Sequence, residues 1–391
     1  MKKYRQALRL ALPVEGSSRK GRRMTKTYDA LALLSGGLDS ILAVKVIQDQ
    51  GLRVLGLHFT SPFFGKKNLI PFWKEHYGID AVAVNIGQQY VDLMLDGPPN
   101  NFGKWLNPCV DCKILMIEHA KLLMEKYGAK FLISGEVIGQ RPMSQRRDAM
   151  SLIRKRSEAM NVLLRPLCAL KLEPTPVEES GLVDRSRLLA FGGRSRKPQL
   201  ELAKQYGFTE IPTPAGGCVL AEASAAGRFI KLMEEKTRPT PRDFVLVQVG
   251  RQVWAGSHWL SMGRKQQENK RLNDLSSEAD YVFTSVGFPG PVAVGRMTDA
   301  GEWDMETIRA AAELTASYAS KARRESEETG EPVTMAVAHN GEVHELQIMP
   351  RRETSVAWAE PMQDLVAPWK QTRKEAEQEE CPEKRGAEDD K

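Results

Sequence analysis

The hexapeptide Ser35-Gly36-Gly37-Leu38-Asp39-Ser40 has the plainest chemical capacity in this sequence. Two consecutive glycines let a backbone approach an anion closely, with N–H groups turned toward it. An apolar run precedes them and a helical pattern follows, so that helix would aim its positive end at the same anion. Ser35 and Ser40 add hydroxyl donors, and Asp39 is a candidate to hold Mg2+ beside phosphates. The loop lacks the lysine of the G-x-x-x-x-G-K-[ST] pattern, which argues against γ-phosphate cleavage by that machinery. The bland alternative is a Gly-Gly turn before a serine-capped helix.

The thiols form a second group. Cys109 and Cys112 stand as Cys-x-x-Cys at the head of a long helical pattern, and Cys218 closes Ala215-Gly216-Gly217-Cys218. Five cysteines with one close pair do not make a secreted disulfide framework; they suit metal, redox or catalytic use in a reducing compartment. In one reading Cys109, Cys112 and Cys218 ligate a [4Fe-4S] cluster whose remaining iron is open to sulfide. In another, one cysteine carries a persulfide and a second resolves it as a disulfide. In the third they are buried small side chains or a zinc site, which would want a fourth ligand. A helix N-terminus lowers a thiol pKa, so Cys109 or Cys112 would be reactive in the first two readings. Cys168 sits in an apolar run and reads as core; Cys381 lies in a charged tail without a role.

These groups need a scaffold that brings distant loops together. Apolar runs at Ala30–Leu34, Arg53–Phe59, Ala81–Ile86, Lys130–Ser134 and Val162–Leu164 read as strands. Helical patterns separate them at Ser40–Gln50, Val110–Tyr127 and Met143–Met160. Continuous apolar strands alternating with helices imply an α/β fold, a doubly wound parallel sheet covered on both faces. Its strand ends would gather the loops, including His58-Phe59-Thr60-Ser61 after the second strand. The expected organisation is a basic arm over 1–26, a first domain over 27–235, a linker over 236–242, a separate α+β domain over 243–352 and a charged, disordered tail over 353–391. In the second half, Asp243–Gly250, Val253–Met262, Tyr281–Ser285 and Pro291–Arg296 read as strands, Arg264–Leu272 and Met305–Ala319 as helices, and Val333–Ala338 with Val343–Met349 as a hairpin turning at Asn340-Gly341.

The hexapeptide resembles that of the PP-loop ATP pyrophosphatase superfamily, whose fold is HUP-like. That resemblance implies ATP split into AMP and pyrophosphate while a carbonyl or carboxylate is activated, with Ser35 to Ser40 on the nucleotide and Asp39 on Mg2+. It also implies that the edge after the second strand, Leu57, His58 and Phe59, receives adenine; His58 is equally readable as structural. Ile133-Ser134-Gly135-Glu136 followed by Gly139-Gln140-Arg141 and Ser144-Gln145 is similar to the Thr-Gly-Glu…Gly-Gln…Ser-Gln pattern of the tRNA 4-thiouridine synthases, as is Arg165-Pro166-Leu167. Ser134, Gly135 and Gln140 would then face ATP, and Arg141 and Gln145 the RNA. Asn107-Pro108-Cys109…Cys112 resembles the catalytic segment of the tRNA 2-thiouridylases, and Cys218 the position of a second sulfur-handling cysteine. The resemblance spans about residues 28 to 235. It implies a tRNA sulfurtransferase that adenylates a uridine carbonyl and inserts sulfur, with 4-thiouridine favoured over 2-thiouridine. Its partners would be tRNA and a sulfur donor, either a cysteine desulfurase persulfide or sulfide. Another PP-loop reaction, on a small molecule, is the alternative. The synthases carry an N-terminal THUMP domain that has no counterpart in this sequence.

Residues 240 to 350 resemble the NFACT-R family of RNA-binding domains through Val249-Gly250-Arg251-Gln252, Gly263 to Arg271 and Phe288-Pro289-Gly290-Pro291. That implies phosphate contacts from Arg251, Arg264, Lys265, Lys270 and Arg271, with Trp254 and Trp259 near enough to stack on bases; the tryptophans are equally readable as core anchors. The Gly192-Gly193-Arg194-Ser195-Arg196-Lys197 loop offers Arg194 and Arg196 to RNA phosphate or to ATP. A formal net charge of +6 over 391 residues agrees mildly with a polyanionic partner. No run approaches the roughly 20 apolar residues of a membrane span, and a cytoplasmic enzyme is expected.

Overall fold

The computed structural model describes residues 27–212, 218–362 and 365–380. The basic arm, Ala215 to Gly217 and Cys381 lie outside them. The chain divides into two compact units, Met1–Ala221 and Glu222–Lys391. The division falls ahead of the helix at Ala223–Glu235, which the sequence reading placed with the first half.

The first unit is a five-stranded, all-parallel sheet in the order β3-β2-β1-β4-β5. β1 (Ala30–Leu33) is buried at every position because strands flank it and helices cover it. It leads into α1 (Leu38–Gln48), and β2 (Val54–Thr60) and β3 (Asp80–Asn85) extend the sheet on one side. α2 (Ile70–Tyr77) and α3 (Gly87–Asp96), which the sequence reading missed, intervene. α4 (Cys109–Tyr127) ends at Gly128 in the left-handed conformation, and β4 (Phe131–Ser134) returns to the other side of β1. The direction of winding therefore reverses between β1 and β4, and such a switch point opens a crevice at the carboxyl ends of the two strands.

α5 (Arg147–Arg156) is shorter than the expected Met143–Met160, since the chain from Gly139 to Arg146 is a loop with Ser144 and Gln145 turned inward. β5 (Leu163–Leu164), the short α6 (Pro176–Glu179) and α7 (Lys197–Gln205) complete the unit. Its core joins Leu38, Ile41 and Leu42 of α1 to Phe131 and Ile133 of β4, Leu164 of β5 and Ala203 of α7.

The second unit is a six-stranded antiparallel sheet in the order β11-β10-β8-β9-β7-β6, with helices around it. α8 (Ala223–Glu235) precedes α9 (Pro241–Leu246). The latter replaces the strand expected over Asp243–Gly250: Thr240 and Asp243 form a capping box and Pro241 takes the first helical position, so local capping overrides the β-like run Phe244 to Val247. Val253–Met262 is a hairpin of β6 (Arg251–Ala255) and β7 (His258–Met262). α10 (Gln266–Leu275), β8 (Tyr281–Val286), β9 (Ala293–Arg296) and α11 (Met305–Ser317) agree with expectation, and α12 (Ser320–Thr329) is additional. β10 (Val333–His339) and β11 (Glu342–Ile348) pair across Asn340-Gly341, both with positive φ, as that turn requires.

The tail is helical over α13 (Val366–Glu380) rather than disordered there. Its charged residues are good helix formers, Val366 is buried, and Arg373 stacks on Trp369. Inside the unit, Arg296 donates to Asp280 at 2.8 and 3.0 Å and to Asp243 at 2.9 Å, a buried triad joining β9 to α9 and to the residue before β8.

Candidate nucleotide and thiol site

The switch point assembles the Ser-Gly-Gly loop from both sides. Gly36 has φ +78°, and a Cβ there would lie 2.3 Å from the Trp73 ring, so only glycine fits. Ser40 Oγ donates to the Gly37 carbonyl at 2.8 Å, and Ser35 Oγ to Ser40 Oγ at 3.1 Å. These bonds close the loop over the first turn of α1. Across the crevice, Gln140 Nε2 donates to Asp39 Oδ2 at 3.0 Å. Asp39 Oδ1 and Gln140 Oε1 are buried with no partner. Unpaired acceptors beside a loop rich in backbone donors suit a Mg2+–phosphate ligand.

Behind the loop stands a buried ion pair. Arg165 Nε donates to Glu136 Oε2 at 3.1 Å, and Ser134 Oγ donates to the same oxygen at 3.0 Å. Burial pushes the Glu136 carboxyl up, but the Arg165 guanidinium and the Ser134 hydroxyl hold it below its usual range. Ser134 is thus spent on Glu136 rather than turned to a ligand. Sequence patterning marked Arg165 without giving it this work, because no spacing rule links residues on β4 and after β5.

His58 is 3% exposed, and both its ring nitrogens are occupied. Nδ1 lies 2.9 Å from the Leu34 carbonyl and Nε2 accepts from the Lys66 N–H at 2.7 Å, which fixes the neutral tautomer. Burial lowers its pKa despite the bond to Leu34. His58 is a brace between the loops after β1 and β2. Leu57 and Phe59 are also buried, so no side chain of this trio projects freely. Beyond them a cleft lined by Thr60, Ser61, Phe64, Gly65, Lys67, Ala83 and Asn85 opens at the ends of β2 and β3.

The thiols gather around a residue that the sequence did not signal. Tyr90, on α3, is 1% exposed and packs against Phe63 and Phe64 at ring-centroid distances of 5.4 and 5.1 Å. Its hydroxyl is hydrogen-bonded to Cys112 and is close enough to Cys109 and Cys218 to feel the charge of each. Burial, with those thiols, pushes the phenol well up. Cys109 Sγ accepts from Asn107 Nδ2 at 3.2 Å. The Cys218 segment is tied in by Val219 N–H to the Phe63 carbonyl at 3.1 Å, and by Leu106 N–H to the Leu220 carbonyl at 3.0 Å. Asp111 anchors the head of α4 by accepting from the backbone and side-chain amides of Asn100 at 3.0 and 2.7 Å.

Burial pushes the Cys112 thiol up to about 11, against the lowering by its hydrogen bond with Tyr90 and by Lys113. Cys168 is fully buried, donates to the Glu136 carbonyl at 3.2 Å and is likewise raised to about 11, as a core residue should be. Among the described residues no group of three His, Cys, Asp or Glu side chains is spaced to hold a metal ion. The three thiols do stand near one hydroxyl, that of Tyr90, and thiolates are the usual ligands of iron–sulfur clusters.

Other predicted contacts are scattered. Arg141 and Arg194 are exposed, whereas Gln145 is buried with its Oε1 unpartnered. In the second unit Lys265, Lys270 and Arg271 are exposed on or beside α10. Arg264 is engaged by Glu268 at 2.8 Å, and Arg251 lies 4.2 Å over the Tyr318 ring. Trp254 and Trp259 are 4% and 0% exposed and stack on each other at 5.2 Å, so they are core and not base platforms. No helix among the described residues is long and apolar enough to cross a membrane.

Both halves of the chain resemble known proteins. A curated protein of Thermococcus kodakarensis named "Probable tRNA sulfurtransferase" is 32% identical over 150 residues, covering 37% of this chain and 38% of that protein. Proteins of the same name from Methanobrevibacter smithii and Methanothermobacter thermautotrophicus are 28% and 25% identical, over 40% and 28% of this chain. The chain spans 42% and 29% of their respective lengths. Residues 26–174 match the family model described as thiamine biosynthesis protein (ThiI), and residues 251–358 match the one described as NFACT protein RNA binding domain.

Proposed function

We propose that this protein is an ATP-dependent tRNA sulfurtransferase. One observation carries the reading: the Asp39–Gln140 pair with its unpartnered acceptors and the Tyr90-centred thiols stand on helix starts and loops around one parallel sheet. The loop of Ser35 to Ser40 holds ATP, with Asp39 on Mg2+. The uridine carbonyl oxygen attacks the α-phosphorus, pyrophosphate leaves with the electron pair of the broken P–O bond, and the base carbon becomes electrophilic. Sulfur then adds to that carbon and AMP departs.

Delivered as sulfide, sulfur enters directly. Delivered as a persulfide, it leaves the base joined to a cysteine through a disulfide, which a second thiol must cleave while forming a cysteine–cysteine bridge. Cys109, Cys112 and Cys218 would hold a [4Fe-4S] cluster, whose chemistry when bound is to present sulfide at an open iron. The Gly135-Glu136…Gly139-Gln140 segment favours 4-thiouridine as the product. The second unit supplies RNA contacts through Lys265, Lys270, Arg271 and Arg251, with Arg141 and Arg194 on the first unit. AMP release from Mg·ATP should depend on tRNA and stop in Asp39→Ala. Turnover without tRNA would favour a PP-loop reaction on a small molecule.

A further inference from the structure

In the second unit, Tyr318 carries a cation on each face of its ring. Its N–H closes the end of α11 by donating to the Thr315 carbonyl at 3.2 Å, and it packs, partly buried, against the core. The Arg251 guanidinium lies over the ring at 4.2 Å from the centroid, and the Arg352 guanidinium at 3.6 Å. Two planar groups that close to one centroid would overlap on a single face, so they take opposite faces. Sequence reading offered Arg251 to RNA singly and passed over Tyr318 and Arg352, because the three stand on β6, at the end of α11 and after β11.

Backbone, not a charge partner, fixes each arm. Gly250, just before Arg251, has φ +74°, and a Cβ there would lie 2.1 Å from the Met262 carbonyl oxygen, so only glycine fits. Arg351 N–H donates to the Glu313 carbonyl at 3.3 Å, which ties the chain before Arg352 to α11. Among the described residues neither guanidinium takes part in an ion pair or a hydrogen bond. Attraction to a ring face leaves the in-plane fork of N–H donors available to an oxyanion. The two forks are separated by no more than the sum of their distances to the centroid, a spacing of the order of that between neighbouring phosphates of one nucleic-acid strand. The surface then continues into the basic start of α10. A Cβ on Gly250 would lie 3.3 Å from Gly263 Cα, and the exposed Arg264 and Lys265 follow directly. A row of cations that begins with two forks at fixed spacing suits a polyanionic strand better than a single small anion.

We propose that Arg251 and Arg352, held apart by Tyr318, bind two successive phosphates of one tRNA strand. This rests on the tRNA-directed function proposed above. It adds a clamp that reads no sequence but sets the register of the RNA on the second unit, as phosphate contacts do. Tyr318 is a positioning residue: it touches no phosphate and holds the two forks at their spacing.

The test measures tRNA affinity of the full-length protein over a salt series, with melting temperatures alongside. It compares wild type, Arg352→Ala, Arg351→Ala, Tyr318→Leu and Tyr318→Phe. Arg352→Ala should lower the slope of log affinity against log salt by about 0.7–0.9, the share of one phosphate contact. Arg351→Ala removes the same charge from the neighbouring exposed residue and should leave the slope unchanged. Tyr318→Leu changes no charge, yet it should lower the slope by more than Arg352→Ala does, because both forks lose the platform between them. Tyr318→Phe keeps the ring and should match wild type. Equal effects of Arg351→Ala and Arg352→Ala overturn the clamp and leave only diffuse charge, as does a wild-type slope in folded Tyr318→Leu. Binding of poly-glutamate that Arg352→Ala abolishes while tRNA binding is untouched also overturns it and gives the forks to an acidic protein. Wild-type protein that binds no tRNA would remove the proposed function itself. Equal tRNA binding by wild type and every variant would remove only this inference.

Discussion

Gly135→Ala puts the crevice geometry under direct strain. A Cβ on residue 135 would lie 2.5 Å from the Asp39 carbonyl oxygen and 2.7 Å from Ser40 Cα, where ordinary contact starts at 3.4 Å. These neighbours are backbone atoms in the first turn of α1, so no rotamer change relieves the overlap. The end of β4 and the start of α1 must part by about 0.9 Å. Overpacking of this kind costs about 1–3 kcal/mol of stability. The larger effect falls on chemistry, because an error near 1 Å in a reacting geometry costs about a hundredfold in rate. We expect tRNA-dependent AMP formation to fall about a hundredfold, with tRNA affinity nearly intact. Ile47→Ala, at the far end of α1 and fully buried, is the control. It should cost about 2–5 kcal/mol by denaturant titration, as a core truncation does, without a matching loss of rate in protein that remains folded. The reasoning is refuted if Gly135→Ala turns over like wild type, or if both variants lose rate only in proportion to lost stability.

Other outcomes follow from the same structure. Arg165→Met should destabilise the first unit by about 3–5 kcal/mol, since it leaves Glu136 buried and uncompensated; calorimetry reads it, and a loss under about 1 kcal/mol contradicts the pairing. Asp243 in the Arg296 triad sits below its ordinary pKa even though burial opposes this, its partners being the Thr240 amide, Lys236 and Arg296. A depressed carboxylate contributes stability above its unfolded pKa and loses it as pH falls through the folded value, so the second unit should weaken below about pH 4, and Asp243→Asn should blunt that acid limb. Cys168, protonated below about 11 and fully buried, should resist iodoacetamide in native protein at pH 8, and Cys168→Ala should keep sulfur transfer. Replacing Lys265, Lys270 and Arg271 with alanine should lower the slope of log affinity against log salt by about 0.7–0.9 per lost contact; an unchanged slope would move the RNA surface elsewhere.

The sequence made the carboxyl-edge site legible where chemistry is local. Two glycines, flanking serines and Asp39 advertise an anion loop, and strand–helix alternation places it at a parallel sheet edge. What stayed hidden was tertiary. Trp73 forbids a side chain at Gly36, yet no motif marks that tryptophan. Tyr90 carries no pattern, and its relation to three distant thiols exists only once α3 and α4 pack. His58 misleads, since a histidine at a strand end invites a ligand role but is spent on two backbone groups. Asp243–Gly250 was misread because its valines and phenylalanine suit a strand, while the Thr240–Pro241–Asp243 cap that decides the matter occupies only its first residues.

The central claim is that this protein puts sulfur into tRNA. Its most direct test is mass spectrometry of nucleosides from the tRNA of cells with and without the gene. The account predicts that 4-thiouridine disappears in the deletion and returns with the wild-type gene, but not with Asp39→Ala or Cys112→Ala. Loss of 2-thiouridine instead would correct the base. A deletion strain whose thionucleosides are all unchanged would contradict the account.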